Sequence, residues 1–266
     1  MPPPDGWYRR KTGYARGIME ILLTNDDGID SPGLCLLAAA LRQAGHRVLT
    51  LAPDSDRSGV SHSISFLSGP CKIRKIEADS WSCSGTPVDC VVLALLGGIP
   101  GDDNFVPDAV ISGINRGANL GTDIVYSGTA AAARQASMAG FPAAAFSLVE
   151  GTDWHWEMAV SFITGNFQEI LNFWKSGTFV NVNIPNRASL PVGLVPAFPA
   201  RRCYNDTIDR YHSPSGEIYC FARGGKIGAE PETGSDHDAV SGNFASMSAV
   251  YIHPAALEEI AARKER

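Results

Sequence analysis

A short apolar run that ends in a carboxylate-rich turn limits the fold of this chain more than any other feature. Residues 20–24 read EILLT and stop at residues 25–28, which read NDDG and are typical of a turn. A helical pattern over residues 32–45 comes next, and a second apolar run, RVLTLA, occupies residues 47–52. A strand, a helix and a strand within about 30 residues predict a βαβ unit, and therefore a parallel sheet.

The alternation of strands and helices continues along the chain. Further strands and helices are predicted at these positions: strands at 108–112, 143–148 and 179–184, helices at 86–96, 129–139 and 156–174. After residue 185 the pattern changes, because charged and aromatic residues flank a turn at 213–216. We therefore predict an α/β fold, a Rossmann-like doubly wound mostly parallel sheet with a C-terminal extended β-hairpin arm at about residues 201–223.

Charge and cysteine usage limit the partners and the compartment. The 266 residues carry a formal charge of −6, which disfavours duplex nucleic acid, because a basic surface supplies most of that affinity. No stretch approaches the roughly 18 apolar residues of a membrane span, and the first 18 residues lack the apolar segment of a secretory signal. Six cysteines form no C-x-x-C pair, so we expect reduced thiols, no membrane, no zinc site and a cytoplasmic protein.

Polar side chains follow the first three strands of the predicted Rossmann-like core, where ligands of such sheets bind. Asp26 and Asp27 follow the first strand, Ser58 follows the second and Asn115 follows the third. Adjacent carboxylates raise each other's pKa unless a cation compensates, and oxygen ligands favour Mg²⁺ or Mn²⁺ over zinc. The alternative is structural: a tight turn at the aspartates, and hydroxyl or amide caps at Ser58 and Asn115.

Residues 115–129 form a glycine-rich approach to a predicted helix start, which is a typical place for a phosphate. Neither a P-loop nor a dinucleotide fingerprint occurs, which disfavours an NTPase and a nicotinamide enzyme. His62 is a possible general acid, and equally a hydrogen-bonded surface histidine. Trp154 and Trp156 have helical spacing, which predicts core or interface packing.

An ordered set of motifs makes the chain from Met19 onward resemble the SurE family, the survival-protein-E nucleotidases. The motifs are ILLTNDDG (21–28), APD (52–54) with RSG (57–59), SGTPVDC (84–90), PD (107–108) with SGIN (112–115), NLG (119–121), YSGT (126–129) and NVNIP (181–185). The chain departs from the family pattern at residues 234–236 (GSD) and 245–249 (ASMSA). Residues 1–18 lie outside the resemblance as an N-terminal extension.

The resemblance implies a metal-dependent phosphatase that acts on nucleoside 5′- and 3′-monophosphates, and on polyphosphate. It implies one divalent metal ion per subunit, held by Asp26, Asp27, Ser58 and Asn115. It also implies a homodimer or homotetramer that exchanges the C-terminal arm. The chain would then comprise the extension, a Rossmann-like catalytic core at 19–190, and a C-terminal region at 191–266 with the arm and a terminal helix at 254–266.

The leading hypothesis is a Mg²⁺- or Mn²⁺-dependent phosphomonoesterase, with the two aspartates as catalytic residues. In this hypothesis the cation polarises the phosphoryl group and activates a water for attack. The phosphate oxygens of a nucleoside monophosphate would be bound by Asn119, Ser127, Gly128 and Thr129. Two alternatives stay open: a phosphatase that forms a covalent phosphoaspartate, and a nucleotide-binding sensor without turnover.

Overall fold

One mixed sheet organises the part of the chain that the structure describes. The computed structural model describes residues 17–97, 99, 105–225, 227–230 and 232–254. The strands of the large sheet are β1 (Glu20–Thr24), β2 (Arg47–Pro53), β3 (Ile73–Glu77), β4 (Ser80–Cys83), β5 (Ala109–Arg116), β6 (Ala143–Leu148), β7 (Thr178–Ile184), β8 (Leu194–Pro196) and, late in the chain, β13 (Ala245–Tyr251). Their spatial order is β3-β4-β2-β1-β5-β6-β7-β13-β8.

The connections are helices and short ribbons. The helices are α1 (Pro32–Gln43), α2 (Pro87–Leu95), α3 (Gly128–Met138), α4 (Trp156–Phe173) and α5 (Asp236–Ser241), with a 3-10 helix at Gly121–Val125. Two small ribbons complete the described structure: β9 (Arg202–Cys203) with β12 (Gly228–Ala229), and β10 (Thr207–His212) with β11 (Ile218–Arg223). The β10–β11 ribbon confirms the predicted hairpin arm.

The sheet is parallel from β4 through β7, and antiparallel pairs flank that region. β3 pairs antiparallel with β4, and β13 pairs antiparallel with β7 and parallel with β8. The predicted α/β fold with a doubly wound, mostly parallel sheet is therefore confirmed. The sequence pattern does not indicate β3, because its residues IRKIE are mostly charged, and in the structure most of them are exposed.

Two hydrophobic cores lie on opposite faces of the sheet. Helices α1 and α4 cover one face, where Leu34 and Leu37 of α1 pack with Ile163 and Ile170 of α4. Helices α2 and α3 cover the other face through small side chains, notably the alanines of α3. Apolar surface is thus removed from water on both sides of the parallel strands, which explains their continuous apolar runs.

The order of the strands creates a switch point between β1 and β5. The chain runs from β1 through α1 to β2 and out to β4 on one side, and β5 and β6 then follow on the other side of β1. Loops at the carboxyl ends of such neighbouring strands diverge and leave a crevice for a ligand. The loops after β1 and β2, and the last two residues of β5, carry the predicted metal ligands.

Strand β5 continues beyond its predicted end at residue 112. Its register with β6 shifts between Ser112 and Asn115, so that it carries one extra residue against its neighbour. Gly113 lies in this bulge at φ +127°, and a Cβ there would lie 2.4 Å from the carbonyl oxygen of Phe146. Bulges of this kind re-aim side chains beside active sites, and this one directs the end of β5 toward the β1 loop.

Some predictions fall on residues outside the described ranges. The N-terminal extension lies there apart from residues 17 and 18, and the terminal helix lies there apart from residue 254. Within the described residues, the structure contains no helix that is both long and apolar enough to cross a membrane.

The close approach of α1 to β5 generates a stability prediction. A Cβ on Gly33 would lie 2.2 Å from the Ile114 carbonyl oxygen, whereas a Cβ on Gly165, inside α4, meets nothing within 4 Å. We expect Gly33→Ala to lower the free energy of unfolding by about 2 kcal/mol or more, because backbone must move. Gly165→Ala should raise it by about 0.5–1 kcal/mol through helix propensity. Urea denaturation of both variants checks this, and equal effects would contradict it.

Candidate active site

The loop after β1 is held by the buried side chain of Asn25. Its Nδ2 donates to the Gly28 carbonyl oxygen at 3.0 Å and to Ser31 Oγ at 2.6 Å, while its Oδ1 accepts from Gly28 N at 3.2 Å. Gly28 has a φ of +104°, which favours glycine. The turn predicted at this position is therefore present, and it fixes the directions of Asp26 and Asp27.

Asp26 is buried against the amino end of α3. Its Oδ2 accepts a hydrogen bond from Gly128 N at 3.0 Å, and its Oδ1 accepts one from the hydroxyl of Thr129. Burial raises the pKa of Asp26 above its ordinary value, and the hydrogen bonds from Thr129 and Gly128 offset part of that rise. The carboxylate thus occupies the positive end of the helix dipole.

Asp27 is more accessible than Asp26 and lines a cavity of about 580 Å³. Its Oδ2 accepts a hydrogen bond from Arg116 N at 3.0 Å. Burial, followed by the charges of Asp26 and Asp56, raises the pKa of Asp27 to about 6, against the lowering effects of the Arg116 backbone and guanidinium. A carboxylate in this environment is destabilised when ionised unless a cation approaches it.

Ser58 lies in a loop that is attached to Asp26. Arg57 N donates to the Asp26 carbonyl oxygen at 2.7 Å, and the Arg57 guanidinium pairs with Asp54 at 3.0 Å. The exposed Ser58 hydroxyl donates to Asp56 Oδ1. This hydrogen bond is not the hydroxyl cap of the structural alternative, because the Ser58 hydroxyl donates to a carboxylate and does not accept from a backbone N–H. The lone pairs of the hydroxyl oxygen are left for a ligand, and both interpretations of Ser58 stay predictions.

Asn115 comes just before the residue that binds Asp27. Its Nδ2 donates to the Gly117 carbonyl oxygen at 2.9 Å, an arrangement that fixes the amide plane. Ser58 and Asn115 each neighbour a residue whose backbone N–H donates to the aspartate pair, Arg57 to Asp26 and Arg116 to Asp27. The structure thus brings the four predicted metal-site residues to one end of the sheet.

The donor types of these four residues fit a hard divalent cation. Two carboxylates, a hydroxyl and an amide carbonyl supply oxygen only, which is the ligand set that Mg²⁺ and Mn²⁺ accept. Among the described residues there is no group of three or more His, Cys, Asp or Glu side chains placed to hold a metal. The fit therefore depends on the neutral oxygens of Ser58 and Asn115 beside the two aspartates.

The residues predicted to bind phosphate oxygens have partners within the protein. Ser127 Oγ caps α3 by accepting from Ala130 N at 3.0 Å, and both Gly128 N and the Thr129 hydroxyl donate to Asp26. A Cβ on Gly128 would lie 2.8 Å from the Cβ of Asp26. In this structure the helix start holds a carboxylate of the protein itself, and direct phosphate contact by these residues stays a prediction.

Asn119 is a buried centre of amide hydrogen bonds. Its Nδ2 donates to Ser147 Oγ at 2.8 Å and its backbone N–H donates to Asn183 Oδ1 at 2.8 Å, while its carbonyl oxygen accepts from Asn181 and Asn183. Hydrogen bonds among buried amides fix a single arrangement of the chain, although Asn181 Oδ1 has no partner among the described residues. The network fastens the glycine-rich segment to β6 and β7, which positions it without exposing the Asn119 amide.

His62 lies on the flank of α3. Its Nε2 is 3.0 Å from Gln135 Oε1, and its buried Nδ1 has no hydrogen-bond partner. Burial lowers the pKa of His62, and the contact with Gln135 opposes this. Ser61, the residue before His62, donates to the carbonyl oxygens of Tyr126 and Val125, just before α3 begins. The hydrogen bonds of His62 within the described residues do not include either aspartate, and its role as a general acid stays a prediction.

Several residues beside the site were not assigned a role by sequence reasoning. Trp154 and Trp156 line the same cavity as Asp27, as does Arg116, although helical spacing predicted only packing for the tryptophans. The side chain of Asp236 is buried and accepts from Gly121 N at 2.7 Å and Ala200 N at 2.9 Å. Nothing in the local sequence distinguishes these residues from ordinary core or surface positions, because their partners are distant along the chain.

Comparison with known proteins identifies the family of the chain. The family model described as Survival protein SurE matches residues 21–203. The chain belongs to the SurE family. A 5'-nucleotidase SurE of Xanthomonas campestris is 38% identical over 244 residues, which cover 88% of this chain and 90% of that protein. A 5'-nucleotidase SurE of Xylella fastidiosa is 37% identical, with the same coverage.

A solved structure of the SurE family shares the fold. The crystal structure of the SurE protein from Aquifex aeolicus has a TM-score of 0.78 and is 34% identical, and the match covers 92% of this chain and 98% of that one. The resemblance to the SurE family inferred from the motifs is therefore confirmed.

The charge of Asp27 generates a prediction for the metal-free protein. A pKa raised to about 6 in the folded state means that stability falls as the pH rises from the ordinary value of 3.8 toward 6. Asp27→Asn should therefore raise the melting temperature by a few degrees at pH 8 in the presence of a chelator, and by less at pH 4. The exposed Asp30→Asn is the control and should not stabilise. A lower melting temperature of Asp27→Asn at pH 8 would contradict this account.

Proposed function

We propose that this chain is a metal-dependent phosphomonoesterase that hydrolyses nucleoside monophosphates to nucleoside and phosphate. The observation that carries the proposal is the adjacent carboxylate pair at the switch point, with Asp26 bound to the start of α3 and Asp27 facing the cavity. The names of the similar proteins, 5'-nucleotidase SurE, support the substrate class. Action on 3′-monophosphates and polyphosphate is proposed from the family resemblance alone.

Each proposed ligand has a distinct task. The carboxylate of Asp26 has a fixed direction, because two donors of α3 hold its oxygens. Asp27 faces the cavity, where it orients the attacking water and accepts its hydrogen bond. Ser58 and Asn115 complete the neutral oxygen ligands. One Mg²⁺ or Mn²⁺ per subunit, held by these four residues, would supply Lewis-acid polarisation of the phosphoryl oxygens.

The hydrolysis needs no covalent intermediate. The water oxygen forms the new bond to phosphorus, the ester P–O bond breaks, and the water proton ends on the departing nucleoside oxygen. A phosphoaspartate at Asp26 is disfavoured, because that side chain is 3% exposed and both of its carboxylate oxygens accept hydrogen bonds from α3. Attack by water oriented on Asp27 therefore fits the geometry better.

We propose that the start of α3 acts by positioning Asp26. Gly128 and Thr129 donate to that carboxylate, and Ser127 keeps the first turn of the helix in place. Contact of Gly128, Thr129 and Asn119 with the phosphate oxygens, as the sequence predicts, would need donors that now bind other groups. The Ser127 hydroxyl oxygen accepts from Ala130 N, which leaves its O–H to donate to a phosphate oxygen. The Asp26 carboxylate already occupies the positive end of the helix dipole, so attraction of the phosphate would depend on the proposed cation.

A matched set of variants tests the function. With adenosine 5′-monophosphate and Mg²⁺ or Mn²⁺, Asp26→Asn and Asp27→Asn should each lower kcat at least 100-fold, because they remove the charge that holds the cation. Ser58→Ala and Asn115→Ala should raise the metal concentration needed for half-maximal activity by a smaller factor. Glu169→Gln, an exposed carboxylate of α4 outside the cavity, is the control.

Phosphate release and metal titration measure these effects. Near-normal kcat in both aspartate variants at saturating metal would contradict the metal site. If the unaltered protein releases no phosphate from nucleoside monophosphates or polyphosphate with either metal, the sensor alternative is correct instead.

We propose a reducing, cytoplasmic setting for the enzyme. The support is the state of the six cysteines, all of which are free thiols in the structure, including the buried Cys83 and Cys90. Structural disulfides are typical of oxidising compartments and are rare in the cytoplasm.

We propose that a second copy of the chain covers the β10–β11 arm. Five apolar side chains of the arm are more than half exposed: Ile208, Tyr211, Ile218, Tyr219 and Phe221. Burying each is worth about 1.5–3 kcal/mol, and an isolated hairpin is marginal in water. The homodimer or homotetramer that the family resemblance implies would bury this surface.

Replacement of residues 204–221 by a short Gly-Ser linker tests the proposed assembly. Light scattering should then report a smaller particle mass in units of the subunit, because the apolar arm is lost. Leu67→Ser, at a side chain 76% exposed outside the arm, is the control and should leave the mass unchanged. An unaltered mass of the linker variant would place the interface elsewhere.

A further inference from the structure

Two stacked indoles and a guanidinium form one wall of the cavity at Asp27. The rings of Trp154 and Trp156 lie with centroids 5.3 Å apart and planes inclined by 14°. The guanidinium carbon of Arg116 lies 5.1 Å from the centroid of the Trp154 ring. All three residues line the cavity of about 580 Å³ that also contains Asp27. We call Arg116, Trp154 and Trp156 the stacking wall.

The stacking wall is held in place from several directions. Asn186 fastens the loop before α4, because its Oδ1 accepts from His155 N at 3.0 Å and its Nδ2 donates to the Asp153 carbonyl oxygen at 2.8 Å. The Trp156 ring occupies the space that a Cβ on Gly33 would enter, at 2.9 Å. These contacts preorganise the wall, so a ligand need not order it.

Core packing explains only part of this arrangement. Both tryptophans pack against the hydrophobic core on the α1 and α4 face, yet each also presents surface to the cavity and is half-buried. Among the described residues, the Arg116 guanidinium forms no ion pair with a carboxylate, although Asp27, Asp30, Asp54 and Asp56 line the same cavity. A planar cation and planar indoles that face a ligand cavity are the groups on which nucleobases stack.

The separation between Asp27 and the stacking wall is similar to the separation between the phosphate and the base of a nucleotide. The Arg116 backbone N–H donates to Asp27, so one arginine side chain separates the aspartate from the guanidinium that lies over Trp154. In a nucleoside monophosphate a ribose separates the phosphate from the base in a similar way. With the phosphoryl group at the aspartates, the base is directed to the wall.

We propose that the stacking wall is the nucleobase subsite of this enzyme, and that it favours purines because their larger rings stack over more surface. This inference rests on the function proposed above and adds the residues that select the substrate. Arg116, Trp154 and Trp156 are specificity residues, which bind the base and leave the chemistry to the aspartates.

A comparison of two substrates isolates the contribution of the base. Adenosine 5′-monophosphate carries a purine, whereas glycerol 2-phosphate offers the same phosphoryl group without a base. Trp154→Ala should lower the ratio of kcat/KM for the nucleotide to that for glycerol 2-phosphate by about tenfold, the size expected for one aromatic stack. The loss should be smaller with cytidine 5′-monophosphate, and Trp154→Phe should restore part of the ratio.

Two further variants separate stacking from other effects. Trp174→Phe, at the far end of α4 and outside the cavity, is the matched control and should leave the ratio unchanged. Arg116→Gln should lower the ratio if the guanidinium stacks on the base. Equal losses of Arg116→Gln with both substrates would mean that Arg116 binds the phosphoryl group, which would overturn its place in the subsite.

Calorimetric binding of adenosine distinguishes failure of this inference from failure of the proposed function. The nucleoside has no phosphate, so its binding does not depend on turnover. Weaker adenosine binding by Trp154→Ala and Trp154→Phe than by the unaltered protein would support the subsite even if no phosphate were released. An unchanged substrate ratio, together with unchanged adenosine affinity, would overturn the subsite while leaving the phosphatase proposal intact.

Discussion

The site depends on one buried interaction, the contact between the Asp26 carboxylate and the first turn of α3. The donors that hold the carboxylate, Gly128 N and the Thr129 hydroxyl, would otherwise be unpaired at a buried helix start. Their hydrogen bonds offset part of the cost of burying the charge, although burial still raises the pKa of Asp26. The carboxylate therefore gains hydrogen bonds and the helix start gains acceptors. The same contact joins the loop after β1 to α3.

The strand order places the other predicted metal ligands beside this contact. Because β1 lies between β2 and β5, the loop that carries Asp26 and Asp27 is flanked by the loop of Ser58 and by the end of β5, which contains Asn115. Backbone N–H groups from both flanking segments donate to the aspartate pair, so the three segments are coupled. The bulge in β5 supplies the extra residue that lets its end reach Asp27.

Much of the fold and part of the site could be predicted from the sequence, because those features are local. β1 and β6 have the predicted bounds, since apolar runs and turn residues define them within a few positions. The link between Asp26 and Thr129 spans 103 residues, and no local pattern encodes it. The tryptophans were assigned to packing for a related reason: helical spacing shows that a side chain faces the protein, but does not show whether a cavity lies there.

The remaining question is why the site keeps a carboxylate that costs stability. Asp27 is partly buried beside Asp26, and both burial and the charge of Asp26 raise its pKa. The raised pKa means that ionisation of Asp27 destabilises the folded protein. If stability alone decided the residue, an asparagine could accept the same hydrogen bond from Arg116 N without that cost. A destabilised charge at a cavity is the arrangement expected where a bound ligand of opposite charge lowers the free energy of that charge. The same pair of carboxylates would repel a phosphate dianion, so the proposed cation would bind the substrate as well as activate it.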